Sequence, residues 1–473
     1  MKLITLLRSF IPVVTGLSAL SAWAGPQADV DCAYHHTAGD DAIMMYGMPN
    51  HAMLHDFFGN THTDAYSDYV RLRNQPDNTC NNKADSSAWW VPTMKLPDGQ
   101  IVKPAYQKTY YQSTSVDTYP LTPFPPGLEL LAGDHHGTGP NRRITFLCAN
   151  GKGYTSTAGE VCGLRQKGDA VQFNIGIQFP NCWDGVNLKP ARGRMNATYT
   201  NDAGACPAEF PVKIPTVNMN VAWVLPQITS LDTAKIQLSM DPQMDGETRI
   251  EKWGSIYTAH GDFMNGWPVQ SAQFMTEECM NKNMDCGTNI PFSYQRASAD
   301  TFVSSAEPGR NFGDEPTLQV QDDWRNGGRT ANKEIMSLVK FSIPPLPEGY
   351  TDADADAALF KYKIRIYGGK NGEGANQIFF YPADTQWDEH QVNWNNRPAC
   401  NYKSDGILYL DKARIYRYVD VDKAVRAALA AGKTEIAWYI GGDRQGGNYS
   451  FNPAGTKENL LLMLTGYENV PEI

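Results

Sequence analysis

Residues Val171-Gln172-Phe173-Asn174-Ile175-Gly176-Ile177 alternate between large apolar and polar or small side chains, the period of a strand that buries one face. Val212–Val217 and Asn220–Leu225 predict further strands in the same half. A second series opens at Ala299-Asp300-Thr301-Phe302-Val303 and continues through Glu334–Phe341, Leu359–Tyr367, Gln377–Tyr381, Ile415–Val421, Glu435–Ile440 and Leu460–Leu464. Most runs are short, β-branched or aromatic, and separated by turn residues, so sheets are expected over long helices. The clearest helix is Asp422–Ala431, with an acidic start and Gly432 as its stop. Asp56–Val70 and the segment after Trp267 are the other short-helix candidates, and in a helix His51 and His55 share one face.

Cysteine and histidine usage divides this pattern near residue 290. Eight of the nine cysteines and eight of the nine histidines precede it. The expected fold class is therefore mainly β. A disulfide-stapled, irregular β-sandwich-like N-terminal domain (25–290) is followed by a β-sandwich, or jelly roll, over 291–473.

Composition narrows the class. Hydrophobic residues make up 41% and charged residues 19% of the 473, which excludes a mainly disordered chain. A net charge of −10 gives no general attraction for nucleic acid or anionic lipid. Met1–Ala24 reads as a signal peptide. Lys2 and Arg8 supply the basic start, Ser9–Ala22 the apolar run, and Ala22-Trp23-Ala24 a cleavage site before Gly25. The expected location is secreted, extracellular in destination with the periplasm a compartment of transit, and no membrane is expected after cleavage. In an oxidising compartment the first eight cysteines read as up to four disulfides. Sequence does not fix their connectivity, but Cys148/Cys162, Cys182/Cys206 and Cys279/Cys286 are local pairs that leave Cys32 with Cys80, and Cys400 is odd.

Three polar constellations can carry chemistry. The densest runs from His35-His36 through Asp40-Asp41 and His51 to His55-Asp56, Asn60 and His62. Imidazoles at this density suit proton transfer or metal ligation. The zinc-protease glutamate is missing and paired C-x-x-C knuckles are absent, so no metal ligand set is assigned and the cofactor is unknown. The second is Phe179–Gly185, where Asp184 offers a carboxylate and Trp183 a face for stacking on a sugar. The third is His260-Gly261-Asp262, an imidazole and a carboxylate two apart, which a strand would point to one side. G-x-S-x-G, P-loop and Rossmann patterns are absent, and Asp352, Asp354 and Asp356 lack the other residues of a calcium loop.

These residues, in order, resemble the secreted family called domain of unknown function 1996. The matching motifs are Cys32-x-x-His35-His36, Gly47-Met48-Pro49, Leu54-His55-Asp56-Phe57-Phe58-Gly59-Asn60, Asp85–Pro92 with Trp90, Phe124–Leu128, Phe179–Gly185, Cys206-Pro207 and His260-Gly261-Asp262-Phe263. The chain departs from the pattern at Met53, at Phe210 and over Lys189–Asn196, where the family usually carries histidines. The second half is similar to DNRLRE-type jelly rolls, which include alginate-associated carbohydrate-binding modules. It matches at Asn311-Phe312-Gly313, Leu338–Phe341 and Trp387-Asp388-Glu389 through Trp394–Pro398. The resemblance implies a secreted protein associated with polysaccharide.

The expected function is a secreted carbohydrate-active protein that cleaves glycosidic bonds of an extracellular polysaccharide, as hydrolase or lyase, with a C-terminal carbohydrate-binding module. His55, Asp56, Asp184, His260 and Asp262 are the expected catalytic residues, and His36, Asn60, Trp90 and Trp183 the substrate-binding ones. The alternative is a non-enzymatic adhesive or structural surface protein, and a metal centre is a third reading of the histidines.

Overall fold

The computed structural model describes residues 26–113, 120–246, 248–322, 324–325, 328–329, 334–346, 360–372, 376–442, 446–468 and 470. Residues 1–24, expected from sequence to be a signal peptide, and Asp352, Asp354 and Asp356 lie outside them.

The first half is built on one long strand. β1 (Gln27–Ala38) pairs over residues 27–33 with Tyr106–Gln112 and then, past an irregularity between Tyr34 and His36, over 34–38 with His55–Gly59. It thereby belongs to two layers. The other main strands of its sheet, in chain order, are β2 (His55–Gly59), β3 (Ala88–Pro92), β4 (Tyr106–Gln112), β5 (Glu129–Gly133), β6 (Ile144–Cys148), β7 (Val171–Gln178), β8 (Thr216–Leu225) and β9 (His260–Met264). The sheet order is β5-β9-β3-β2-β1-β4-β8-β7-β6. The main core holds Val30, Phe58, Trp89, Tyr111, Phe173, Val217 and Phe263, drawn from both stretches of the sheet. The β5-β9-β3-β2 stretch carries a second, smaller core of Ala42, Ile43, Phe57, Leu72, Trp90 and Met264. Residues 39–54 and the short helix α1 (Tyr69–Asn74) supply part of it.

Asp56–Val70, a candidate to hold a short helix, is helical only at its last two residues. Residues 55–59 are a strand buried along its whole length, and α1 begins only at Tyr69. A strand buried on both faces has no alternation to reveal it. His51 and His55 consequently share no helical face. The turn after Trp267 is helical, as expected, from α2 (Val269–Gln273) onward through irregular turns to Lys282. Four disulfides form, the three local pairs and Cys32–Cys80, and Cys400 is in none of them.

The second half repeats the device of a shared strand. β10 (Ser293–Ser304) pairs first with Leu461–Gly466 and then, past an irregularity at Ala297/Ala299, with Ile335–Ser342. The remaining strands are β11 (Leu318–Gln321), β12 (Ile335–Ser342), β13 (Phe360–Lys370), β14 (Gln377–Ala383), β15 (Gly406–Tyr409), β16 (Ile415–Asp420), β17 (Glu435–Gly442), β18 (Asn448–Phe451) and β19 (Leu461–Gly466). They run β10-β19-β13-β18-β11-β12-β17-β14-β15, with β16 beside β13. The sheet folds over a core of Ile364, Val339, Phe341, Trp438 and Leu462, giving the sandwich-like architecture expected. Helix α3 (Asp422–Ala430) lies where the acidic start and Gly432 predicted it.

The halves are tied at several points. Asn82 donates to the carbonyls of Thr288 (3.1 Å) and Ile290 (2.9 Å) and bridges to Tyr467, just past β19. Lys83 pairs with Glu468 at 2.7 Å.

Candidate functional site

Neighbouring strands bring one part of the expected set together. β3 lies between β2 and β9, with Trp90 opposite both Phe57 and Asp262. Side chains two apart share a face, so His55 with Phe57, and His260 with Asp262, all project toward the side of the smaller core. One ligand-capable atom from each of His55, His260 and Asp262 lies within 4.8 Å of the others. Gly261, between the last two, faces the main core, where a Cβ would come 2.9 Å from Met219 and 3.1 Å from Ile177.

Backbone contacts set the rings. His55 Nδ1 donates to the Asp40 carbonyl and His260 Nδ1 to the Thr258 carbonyl, each at 2.9 Å. A neutral ring that donates from Nδ1 presents a lone pair at Nε2. His55 Nε2 and Asp262 Oδ2 are buried and have no hydrogen-bond partner. Burial pushes both imidazoles down to about 4, so they are neutral near pH 7. Burial, reinforced by the charge of Asp41, pushes the Asp262 carboxyl well above its usual range. His260 is the half-buried member, and its ring meets that of exposed His135 at 6.0 Å. This is the solvent side of the trio. The end of β5 reaches it because Gly133 (φ +90°) packs where a Cβ would sit 2.4 Å from the Ala259 carbonyl. Two imidazole nitrogens and one carboxylate can relay a proton or hold a cation.

The other expected residues lie elsewhere. Asp56 projects to the opposite face, where it accepts from Thr37 Oγ1 (2.6 Å) and Thr93 Oγ1 (3.0 Å). Burial raises its carboxyl to about 7. Asp184 accepts from the amides of Val186 (2.9 Å) and Asn187 (2.8 Å) and from Asn187 Nδ2 (2.6 Å), so it organises a turn. Half-buried Trp183 donates from Nε1 to Asn187 O. Asn60 is fully buried and closes α1, donating to the carbonyls of Leu72 and Gln75. Trp90 is fully buried against Phe57. His36 stacks on Phe57 with ring centroids 4.6 Å apart, half-buried at the edge of the small core.

Two further carboxyls were not among the expected catalytic residues, although Asp41 belongs to the first constellation. Asp41 accepts from the amides of Ile43 and Met44, and its charge acts on His260, Asp262 and Glu129. Glu129 projects from β5, 2% exposed and 3.3 Å from Lys189 Nζ; burial raises it to about 7. Its signal was a charge inside the apolar run Leu128–Leu131.

The second half carries an open groove of about 510 Å³ lined by Lys340, Gln386, Trp387, Asp388, Asn396 and Glu435, among others. Lys340 Nζ lies 4.7 Å over the Trp387 ring and donates to the Thr385 and Trp387 carbonyls.

No helix among the described residues is long and apolar enough to cross a membrane. No curated protein matches the chain. Residues 41–267 match the domain of unknown function (DUF1996), and residues 291–466 match carbohydrate-binding module family 96, which supports carbohydrate binding by the second half. The chain is thus similar to the domain of unknown function DUF1996 over residues 41–267 and to carbohydrate-binding module family 96 over residues 291–466.

Proposed function

We propose that the protein is an extracellular carbohydrate-active enzyme whose first half breaks glycosidic bonds in a polysaccharide held by the second. The convergence of His55, His260 and Asp262 carries this reading. Two strands of one sheet, β2 and β9, carry these groups, two of the reactive atoms have no internal partner, and His260 meets solvent. A bond that breaks by hydrolysis or elimination needs a proton carrier and a charge-balancing group at one point, and the trio offers both kinds. Asp56, Asp184, Asn60 and Trp90 have structural partners or lie buried, and support the reaction only by shaping the scaffold. Four disulfides and a carbohydrate-binding module suit an extracellular location.

The test is incubation of the full chain with plant, algal and microbial glycans, followed by chromatography and mass analysis. A hydrolase yields new reducing ends; a lyase also yields an unsaturated end that absorbs in the ultraviolet. Shortened products from the native chain, lost in Asp262→Asn, are expected. Binding without shortened products on any glycan would leave the adhesive reading, which the capping roles of Asp184 and Asn60 favour.

A further inference from the structure

We infer that His55, His260 and Asp262 form a binding site for one divalent transition-metal ion of the zinc class. The inference goes beyond glycan cleavage and holds whether or not the centre cleaves anything.

Three observations carry it. First, the potential ligand atoms of the three residues lie within 4.8 Å of one another, and metal–ligand bonds of ~2.0–2.2 Å would draw them inward around one centre. Second, each imidazole is fixed from behind. The Nδ1–H groups of His55 and His260 donate to the carbonyls of Asp40 and Thr258, which leaves Nε2 as the ligand atom of each ring. Outer hydrogen bonds of this kind orient metal-binding histidines and raise their basicity. Third, His55 Nε2 and Asp262 Oδ2 are buried with no partner. His55 is 1% and Asp262 2% exposed. A buried polar atom without a partner costs about 1–3 kcal/mol, and a shared cation removes that cost at both atoms at once.

The donor set chooses the ion. Two neutral nitrogens and one carboxylate suit zinc and its first-row neighbours. Calcium and magnesium require shells of oxygen that this trio does not supply. Three protein ligands with a half-buried histidine on the solvent side leave a position open to a water or a sugar oxygen, as in catalytic rather than structural sites.

The full chain, freed of metal with a chelator and dialysed, is titrated calorimetrically with Zn²⁺, Mn²⁺ and Ca²⁺, and its metal content is measured by elemental analysis. One Zn²⁺ per chain is expected, with Ca²⁺ binding at least tenfold weaker. His260→Gln and Asp262→Asn, verified as folded by circular dichroism, are each expected to weaken Zn²⁺ at least tenfold, by loss of one ligand. His136→Ala, at the exposed pair with His135, is expected to leave the stoichiometry unchanged. Should the ligand variants fail to fold, the visible spectrum of the Co²⁺-loaded native chain reports the donor set: a nitrogen and oxygen shell of low symmetry supports the site, and the spectrum of hydrated Co²⁺ overturns it. No stoichiometric Zn²⁺ in the native chain, or Zn²⁺ lost in His136→Ala and kept in Asp262→Asn, also overturns it.

Discussion

Glu278 and Arg365 form an ion pair at 2.8 Å, and neither side chain is reached by solvent. Glu278 belongs to the helical turns that end the first half, and Arg365 to β13 of the second. Arg296 (2.8 Å) and Lys282 also pair with Glu278, so the junction concentrates three cations on one buried carboxylate. Removing one partner of such a pair leaves an unbalanced buried charge. Arg365→Leu is expected to destabilise the protein by roughly 3–5 kcal/mol, read from urea unfolding. An unchanged urea midpoint would show that the junction is indifferent to the pair.

Acid should weaken the same contact. Burial alone would push the Glu278 carboxyl up, but the hydrogen bond and charge of Lys282, with Arg296 and Arg365, outweigh it and hold the group at about 2. An unfolded glutamate titrates near ~4.3. The stabilisation is therefore complete above that value and is lost as pH falls toward 2. Urea midpoints between pH 5 and 2 should fall less steeply in Glu278→Gln than in the native chain.

Asp85 has the opposite sign. It is fully buried, accepting from Tyr111 Oη at 2.7 Å and from the Ser87 amide at 3.1 Å. Burial outweighs those bonds and raises it to about 7. Its contribution is complete below ~3.9 and lost as pH rises through 7. In Asp85→Asn the decline in stability between pH 4 and 7 should be shallower than in the native chain, whatever the variant's absolute stability.

The Cys32–Cys80 bridge spans 48 residues and anchors the middle of β1, the strand shared by both layers. Chain-entropy reasoning assigns about 4 kcal/mol to a closed loop of that length. The double change Cys32→Ala with Cys80→Ala should lower stability by about that amount in chemical denaturation.

Asp184 separates scaffold from chemistry. Asp184→Ala is expected to cost about 1 kcal/mol, as loss of a cap does, and to leave product formation on any cleaved glycan unchanged. Slower turnover at equal stability would place its carboxylate against the sugar.

Much of the fold was legible because its signals are local. Val171–Ile177 alternates, Asp422 opens a helix that Gly432 closes, and three disulfides join cysteines near in sequence. β2 was missed because His55-Asp56-Phe57-Phe58-Gly59 is buried on both faces, so burial imposes no alternation there. His260 and Asp262 were legible as one side of a strand. Their meeting with His55 was not, because it depends on β3 inserting between β2 and β9, an order written in no local pattern. Asp184 holds a turn and Asn60 the end of a helix, and sequence does not separate these roles from sugar contact because the groups that cap turns and helices are the same groups that bind sugars.

Asn82, clasped by the Thr288 and Ile290 carbonyls and bridged to Tyr467, fastens the entry and the exit of the second half to the first. A tether of that kind is a ruler and not a leash. A glycan strand gripped by the rear half would reach the trio at a constant offset, so fragment lengths would cluster around one value set by the protein's own dimensions.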